Sequence, residues 1–304
     1  MTDGIRHFIV DMNTVGKRLD VFLTSSTGLP RNQIQHALHD GLVEVNGVKK
    51  PAHYPVREND DVTLAELELP SVSVTVPQEP TIIADEQEYY VIDKPAGLLV
   101  HPVGKKSDPA LTNWLVQRDP AIASVGDILR PGIVHRLDRN VSGLMVVART
   151  QAMFDALSAQ FRQHKILKIY TALVFGSPKS EEGTLTFRIG RSRHHGRMAA
   201  RSAAGEGKDA TTTYDVLKRF ATTTLLSVRI LTGRTHQIRA HLFAAGFPVV
   251  GDQLYRIQHT VNVPPLDRIF LHASKLGFTD LAGKPREFER PLPKELEQYL
   301  SSIR

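Results

Sequence analysis

Three prolines in eleven residues, PSVSVTVPQEP at 70–80, split the chain into two parts that pattern differently. Proline blocks a continuing helix and cannot donate to a strand ladder, so this stretch reads as an extended linker. Before it, Leu19, Phe22 and Leu23, and then Ile34, Ala37 and Leu38, recur at i, i+3, i+4. Each trio is one apolar helix face. Thr27-Gly28-Leu29-Pro30 separates the two helices, with Pro30 placed to open the second, which Gly41 ends. Leu42-Val43-Glu44-Val45 alternates as a strand, Asn46-Gly47 is a hairpin turn, and Val62 and Leu64 mark a further strand. After the linker, strands dominate. Tyr90-Val91-Ile92 and 143–148 read as strands, as do 166–175, 184–190, 211–217 and 224–231, and Thr150 can cap a helix faced by Met153, Leu157 and Phe161. The expectation is an α+β fold with a mixed, largely antiparallel sheet. At 304 residues the chain exceeds what one core usually serves. The expected division is a tail at 1–12, a small α+β domain at 13–69, the linker at 70–80 and a large domain at 81–304.

Charge is unevenly distributed. The 38 Lys and Arg against 32 Asp and Glu leave +6 overall, but residues 1–80 carry −4 and residues 81–304 carry +10. The stretch 185–245 alone holds +8. Such a block suits a phosphate backbone, or a solvated basic face; charge alone does not choose. Cysteine is absent, which excludes a disulfide framework, thiolate metal sites and a cysteine nucleophile. The start, MTDGIRHFIVDMN, lacks an apolar signal core, and nowhere do eighteen apolar residues run together. A soluble, cytoplasmic, monomeric protein with no membrane partner is expected.

Cofactor signatures fail. Gly205-Glu206-Gly207-Lys208 is followed by Asp209 instead of the Ser or Thr of a phosphate loop, and no dinucleotide fingerprint, nucleophile elbow or HExxH helix occurs. His194-His195 and the His236/His241 pair lack Cys or neighbouring acidic ligands, so surface or nucleic-acid contact is the better reading than a metal. No cofactor and no metal are expected. What stands out is polar residues set into apolar, glycine-punctuated stretches: GIVHRLDRNVSGL at 132–144 and LTGRTHQIRAH at 231–241. Alone, Asp138 reads as a turn or salt-bridge residue, and Arg239 as a phosphate contact or surface charge.

Together these segments resemble the RluA-type family of RNA pseudouridine synthases. HRLDRNVSGL (135–144) matches the family's HRLD-x-x-T-S-G-L signature except at Val141, where Thr is usual. Lys168-Ile169-Tyr170 matches its K-x-Y segment, with Tyr170 standing 32 residues after Asp138. GRTHQIRAH (233–241), with Gly246-Phe247-Pro248 and Gly251-Asp252, matches the third signature. Lys94-Pro95-Ala96-Gly97 with Val100-His101-Pro102, and Phe270-Leu271-His272-Ala273, match two flanking segments. The amino-terminal part resembles the S-four-like RNA-binding domain through Arg18-Leu19-Asp20, Arg31, Gly41-Leu42-Val43 and Val45-Asn46-Gly47. Pro30 stands where that family usually has a capping Ser.

The resemblance implies that Asp138 is the catalytic aspartate, Arg239 its basic partner, and Tyr170 a catalytic residue. It also implies that Arg136 fills the space of an extruded uridine, and that Arg31 contacts RNA. Pseudouridine formation breaks the N1–C1′ bond, turns the uracil and joins C5 to C1′. A carboxylate can trap the cationic sugar or take its 2′ proton, and either route needs it ionised. A neighbouring arginine favours that state. Tyr170 offers a ring to stack on uracil and a phenol to help remove the C5 proton. Extrusion of the base costs a few kcal/mol. Large-subunit ribosomal RNA is the expected partner and transfer RNA the alternative. From another class, the rival is a non-catalytic RNA-binding ribosome-assembly factor, which the presence of Asp138 and Tyr170 disfavours. A glycosidase would want a second carboxylate.

Overall fold

The computed structural model describes residues 5–29, 31–65, 75–102, 108–192, 197–202, 205–256 and 263–303. Pro30, the first part of the expected linker and His194-His195 lie outside them. The amino-terminal part comprises β1 (Ile5–Ile9), α1 (Leu19–Thr27), α2 (Arg31–His39), β2 (Val43–Val45) and β3 (Asp61–Ala65). The three strands form an antiparallel sheet in the order β1-β3-β2. The helix trios meet Val43, Val45, Val62 and Leu64 in a core of their own. Asn46 and Gly47 both take positive φ, 52° and 73°, which the tight turn after β2 requires.

The larger part comprises β4 (Thr81–Asp85), β5 (Tyr89–Lys94), α3 (Leu111–Arg118), the short pair β6 (Gly126–Asp127) and β7 (Arg130–Pro131), β8 (Ser142–Ala148) and α4 (Gln151–Arg162). It continues with β9 (Leu167–Phe175), β10 (Glu182–Arg191), β11 (Met198–Arg201), β12 (Lys208–Arg219), β13 (Thr223–Ile230), α5 (Gln237–Ala244), β14 (Leu271–Thr279), β15 (Pro285–Glu289) and α6 (Lys294–Ser302). One sheet runs β11-β10-β12-β13-β9-β14-β8-β5-β4, with β15 also paired to β14. Only the β14–β8 pairing in it is parallel. The sheet is therefore mixed and largely antiparallel. At the parallel junction Gly143 has φ 119°, and a Cβ there would collide with the Ala273 backbone. The glycine of the HRLDRNVSGL segment thus permits the close approach that joins the two halves of the sheet. Thr150 caps α4 by accepting from the Met153 amide at 3.2 Å.

The structure corrects two boundary expectations. Within 1–12, Ile5–Ile9 is a strand paired with β3 instead of a tail. In the stretch expected to be a linker, Val76 is buried in the large core beside Ile92 and Leu115. The two parts also touch, because the buried Gln33 donates from Nε2 to the Gly126 carbonyl at 3.1 Å. Among the described residues no helix is long and apolar enough to cross a membrane.

Candidate active site

Asp138 lies in the loop between β7 and β8, and backbone bonds fix that loop from both sides. The Val141 amide donates to the Asp138 carbonyl at 3.1 Å, closing a turn directly after the carboxylate. Val141 itself is buried in the core, so an apolar side chain fits where the resembling family has Thr. The next carbonyl, Arg139 O, accepts from Gly97 N at 2.8 Å and from Lys94 Nζ at 3.2 Å. Lys94 is fully buried and also donates to Pro95 O and Leu98 O, at 2.8 and 2.9 Å. Burial, and then the charge of Arg268, push its pKa down to about 7. Its three carbonyl partners explain why a lysine sits in that core: it pins the 94–98 segment to the aspartate loop.

Tyr170 and Lys168 lie on β9 and point to one face, since strand side chains alternate with period two. β9 is a central strand, with Tyr170 opposite Val228 on one side and Ala273 on the other. Arg239 comes from α5, whose start is anchored by Gln237. That side chain accepts from Thr232 Oγ1 and Arg234 N, and donates to Thr211 O and Thr212 Oγ1. The helix thereby holds Arg239 beneath the aspartate loop.

These elements meet around one cleft of about 570 Å³. Arg239 is the hinge of its charge network. It donates to Asp252 through Nε (2.6 Å) and Nη2 (2.9 Å), and to Asp138 Oδ2 through Nη1 (2.8 Å). Asp252 is fully sequestered and also accepts from the Leu254 and Tyr255 amides. Burial pushes the Arg239 pKa down, but the bonds and charges of Asp252 and Asp138 outweigh it, so the guanidinium stays charged. Asp138 keeps partial exposure, with 18% of its side chain accessible. His236 Nε2 stands 3.8 Å from the same Oδ2. Burial first, and the Asp138 charge second, raise the Tyr170 pKa, so its phenol is protonated at neutral pH. Burial lowers the Lys168 pKa to about 8.

Among the described residues Asp138 is the only carboxylate lining the cleft, beside Arg130, Arg136, Arg162, Lys168 and Arg234 as well as Arg239. Arg136 is exposed and makes no hydrogen bond or ion pair among the described residues. His135 accepts from the Val146 amide at 3.0 Å and stacks on Phe161, and burial lowers its pKa to about 3, so it is a neutral wall. Of the expected site residues, Asp138, Tyr170, Arg239 and Arg136 come together here. Arg31 does not: it lies in the amino-terminal part, bonded to Asp20 at 2.8 Å. The expectation of surface or nucleic-acid contact for the His236/His241 pair is corrected for His241. His241 is fully buried against Phe187 because it faces the sheet, and His236 faces the cleft. Sequence reasoning assigned no role to Lys94, Asp252 or Tyr255. The first two stood inside matched segments, and only tertiary contacts give them their tasks.

A largely antiparallel mixed sheet carries one arginine-held carboxylate in a cationic cleft, an arrangement suited to an enzyme with a polyanionic substrate. The solved structure of Human RNA Pseudouridylate Synthase Domain Containing 1 is similar, with TM-score 0.58 and 26% identity over 77% of this chain and 90% of that one. The family model described as RNA pseudouridylate synthase matches residues 88–244, which include Asp138, Tyr170 and Arg239. Uncharacterized RNA pseudouridine synthase YlyB of Bacillus subtilis (strain 168) is 34% identical, covering 95% of this chain and 94% of that protein. Ribosomal large subunit pseudouridine synthase D of Zymomonas mobilis subsp. mobilis (strain ATCC 31821 / ZM4 / CP4) is 33% identical, covering 93% and 92%. The chain belongs to the RNA pseudouridylate synthase family, and its activity is the isomerisation of uridine to pseudouridine.

Proposed function

We propose that this enzyme modifies uridine in large-subunit ribosomal RNA, with Asp138 performing the chemistry at C1′ or C2′. The observation that carries the reading is the cleft's charge pattern. One carboxylate, bonded by Arg239, stands among cationic side chains that suit an RNA backbone. Arg239 donates to Asp138 through Nη1 and presents it, while Asp252 fixes Arg239 from behind. Exposed Arg136, two residues before Asp138, fills the stack after the uridine is extruded. The Tyr170 ring stacks on the uracil. Because its phenol starts protonated, it takes the C5 proton only as it gives its own away, and N1 needs one. The step thus moves one proton from C5 to N1 with no net change, as an isomerisation requires.

The name of the Zymomonas mobilis relative and the S-four-like pattern of α1, α2 and β2 favour ribosomal RNA over transfer RNA. In that reading 13–69 is an RNA-binding module. Arg31 is half-exposed and retains donor capacity beside its bonds to Asp20. Pseudouridine mapping of total RNA from cells with and without the protein tests the target. Sites lost from large-subunit ribosomal RNA are the expected result; loss only from transfer RNA would replace it.

A further inference from the structure

Tyr255 is buried, and its hydroxyl occupies a junction that the reaction as described above does not use. On one side it accepts from the Met198 amide at 2.7 Å and lies 3.0 Å from the Met198 carbonyl. On the other it lies 3.2 Å from His236 Nδ1. Met198 begins β11, the edge strand of the sheet, on a hairpin that carries Arg188, Arg191, Arg197 and Arg201. The Arg197 guanidinium sits 4.9 Å from the Tyr255 ring centre, and that of Arg239 sits 5.1 Å from it. His236 opens α5 in the left-handed region, at φ 54° and ψ 23°, where non-glycine residues are uncommon. The unusual backbone turns the ring so that one nitrogen meets Tyr255 and the other faces Asp138.

We propose that Tyr255 is a positioning residue for the pseudouridine reaction, tying the basic β10–β11 hairpin to Asp138 through His236. The proposal rests on the reading of Asp138 as the reacting carboxylate. The hydroxyl has one proton and two acceptors that compete for it, Met198 O and His236 Nδ1. An ionised Asp138 favours a proton on His236 Nε2, facing the carboxylate. That tautomer leaves Nδ1 bare and draws the Tyr255 proton to it. If the proton goes to Met198 O instead, Nδ1 must carry the imidazole's own proton, and a lone pair then faces Asp138. The seating of β11 therefore biases which face of His236 meets the carboxylate, and RNA held by the hairpin arginines acts on the same joint. Burial first, with the charges of Arg239 and Arg136, lowers the His236 pKa against the opposing charges of Asp138 and Asp252, so the imidazole is neutral at neutral pH. Its tautomer, rather than its charge, is then the variable.

Tyr255→Phe isolates this hydroxyl, because the ring contacts and the backbone bond to Asp252 remain. The substrate is large-subunit ribosomal RNA transcribed with uridine or with 5-fluorouridine, whose C5 has no proton to lose. The single-turnover rate at saturating RNA should fall about tenfold on both transcripts, the effect of one hydrogen bond, with RNA affinity within twofold. His236→Gln should slow both transcripts as well, and Tyr255→Phe should add nothing in that background, because the hydroxyl acts through the imidazole. If His236→Gln does not fold, His236→Asn takes its place in the cycle. Equal, additive losses in the double variant would overturn the proposal. So would an unchanged rate in Tyr255→Phe, or a lowered melting temperature as its sole effect. Absence of pseudouridine with the wild-type enzyme on both ribosomal and transfer RNA would instead reject the functional reading and this inference with it.

Discussion

Asp20 and Asp138 are both carboxylates held by arginine, one in each part of the molecule, and they are held in opposite ways. Asp20 is fully buried, and both its oxygens are occupied by donors from Arg18, Arg31 and Gln35. Burial acts to raise its pKa, and those bonds outweigh it, holding the carboxyl well below the usual range. Asp138 is partly exposed and receives one short arginine bond, on Oδ2. Its other oxygen is not bonded among the described residues. The saturated carboxylate, Asp20, has no exposed oxygen to offer a substrate and serves as an internal tie between α1 and α2. The unsaturated one leaves an oxygen without a donor among the described residues, as its proposed role requires, while a second arginine–aspartate pair behind it bears the structural load. An ion pair's unused capacity, more than its strength, separates the two roles.

The sharpest way to probe the reacting side is Tyr170→Phe. It should cost about 10² to 10⁴-fold in turnover on uridine RNA, the range of general acid–base contributions. Conversion of 5-fluorouridine RNA should stay near normal, because no C5 proton has to leave. Equal losses on both transcripts, measured by single-turnover conversion, would place the phenol in an earlier step. Next comes Arg239→Ala, which disturbs both ends of its network. Turnover should drop about 10²-fold or more as Asp138 loses its presenting donor. Unfolding free energy should also fall by roughly 3–5 kcal/mol, because Asp252 is left buried and unpaired. A variant as stable as wild type would mean that Asp252 does not depend on this arginine.

The saturated site makes the opposite forecast. Asp20→Asn should lower stability by roughly 1–3 kcal/mol, since donors lose their charged acceptor, and leave turnover on a short model RNA unchanged. The tie also has a pH sign. A carboxyl whose folded pKa is depressed stabilises the fold above its unfolded value, and this contribution disappears as pH falls through the acid range. Wild type and Asp20→Asn should therefore converge in denaturant stability as the pH is taken well below 4, and parallel curves would contradict the assignment. The smallest effect concerns Lys168. With its pKa near 8, it is charged below that pH and neutral above it, so RNA affinity should decline by a few-fold as pH passes from 7 to 9. Lys168→Met should flatten that decline; an unaltered pH slope would show that this lysine does not meet phosphate.

The same contrast governs what could be read from sequence. The helix faces at Leu19 and Ile34, the strand at 143–148 and the cap at Thr150 are local patterns, and each forms where its period places it. α5 was hidden because Gln237, Arg239 and His241 are all buried, so its polar residues do not mark a solvent face. β14 was hidden because it is covered on both sides and shows no alternation. β1 is an edge strand with exposed Ile5 and Ile9, whose place is decided by pairing with β3. In the site, Asp138, Tyr170 and Arg239 were legible through ordered motifs. Asp252 and Lys94 were not, because a buried charge is understood only once its partners, distant in sequence, are known.

Replacing Asp138 by Asn tests the central claim most directly, because the amide keeps the shape and removes the charge. The measurement is single-turnover pseudouridine formation on large-subunit ribosomal RNA, with affinity and melting temperature taken on the same preparation. The account predicts no detectable product, RNA binding within a few-fold of wild type and an intact fold. Substantial turnover by Asp138→Asn, with the fold and binding unchanged, would contradict it and send the search to another group in the cleft.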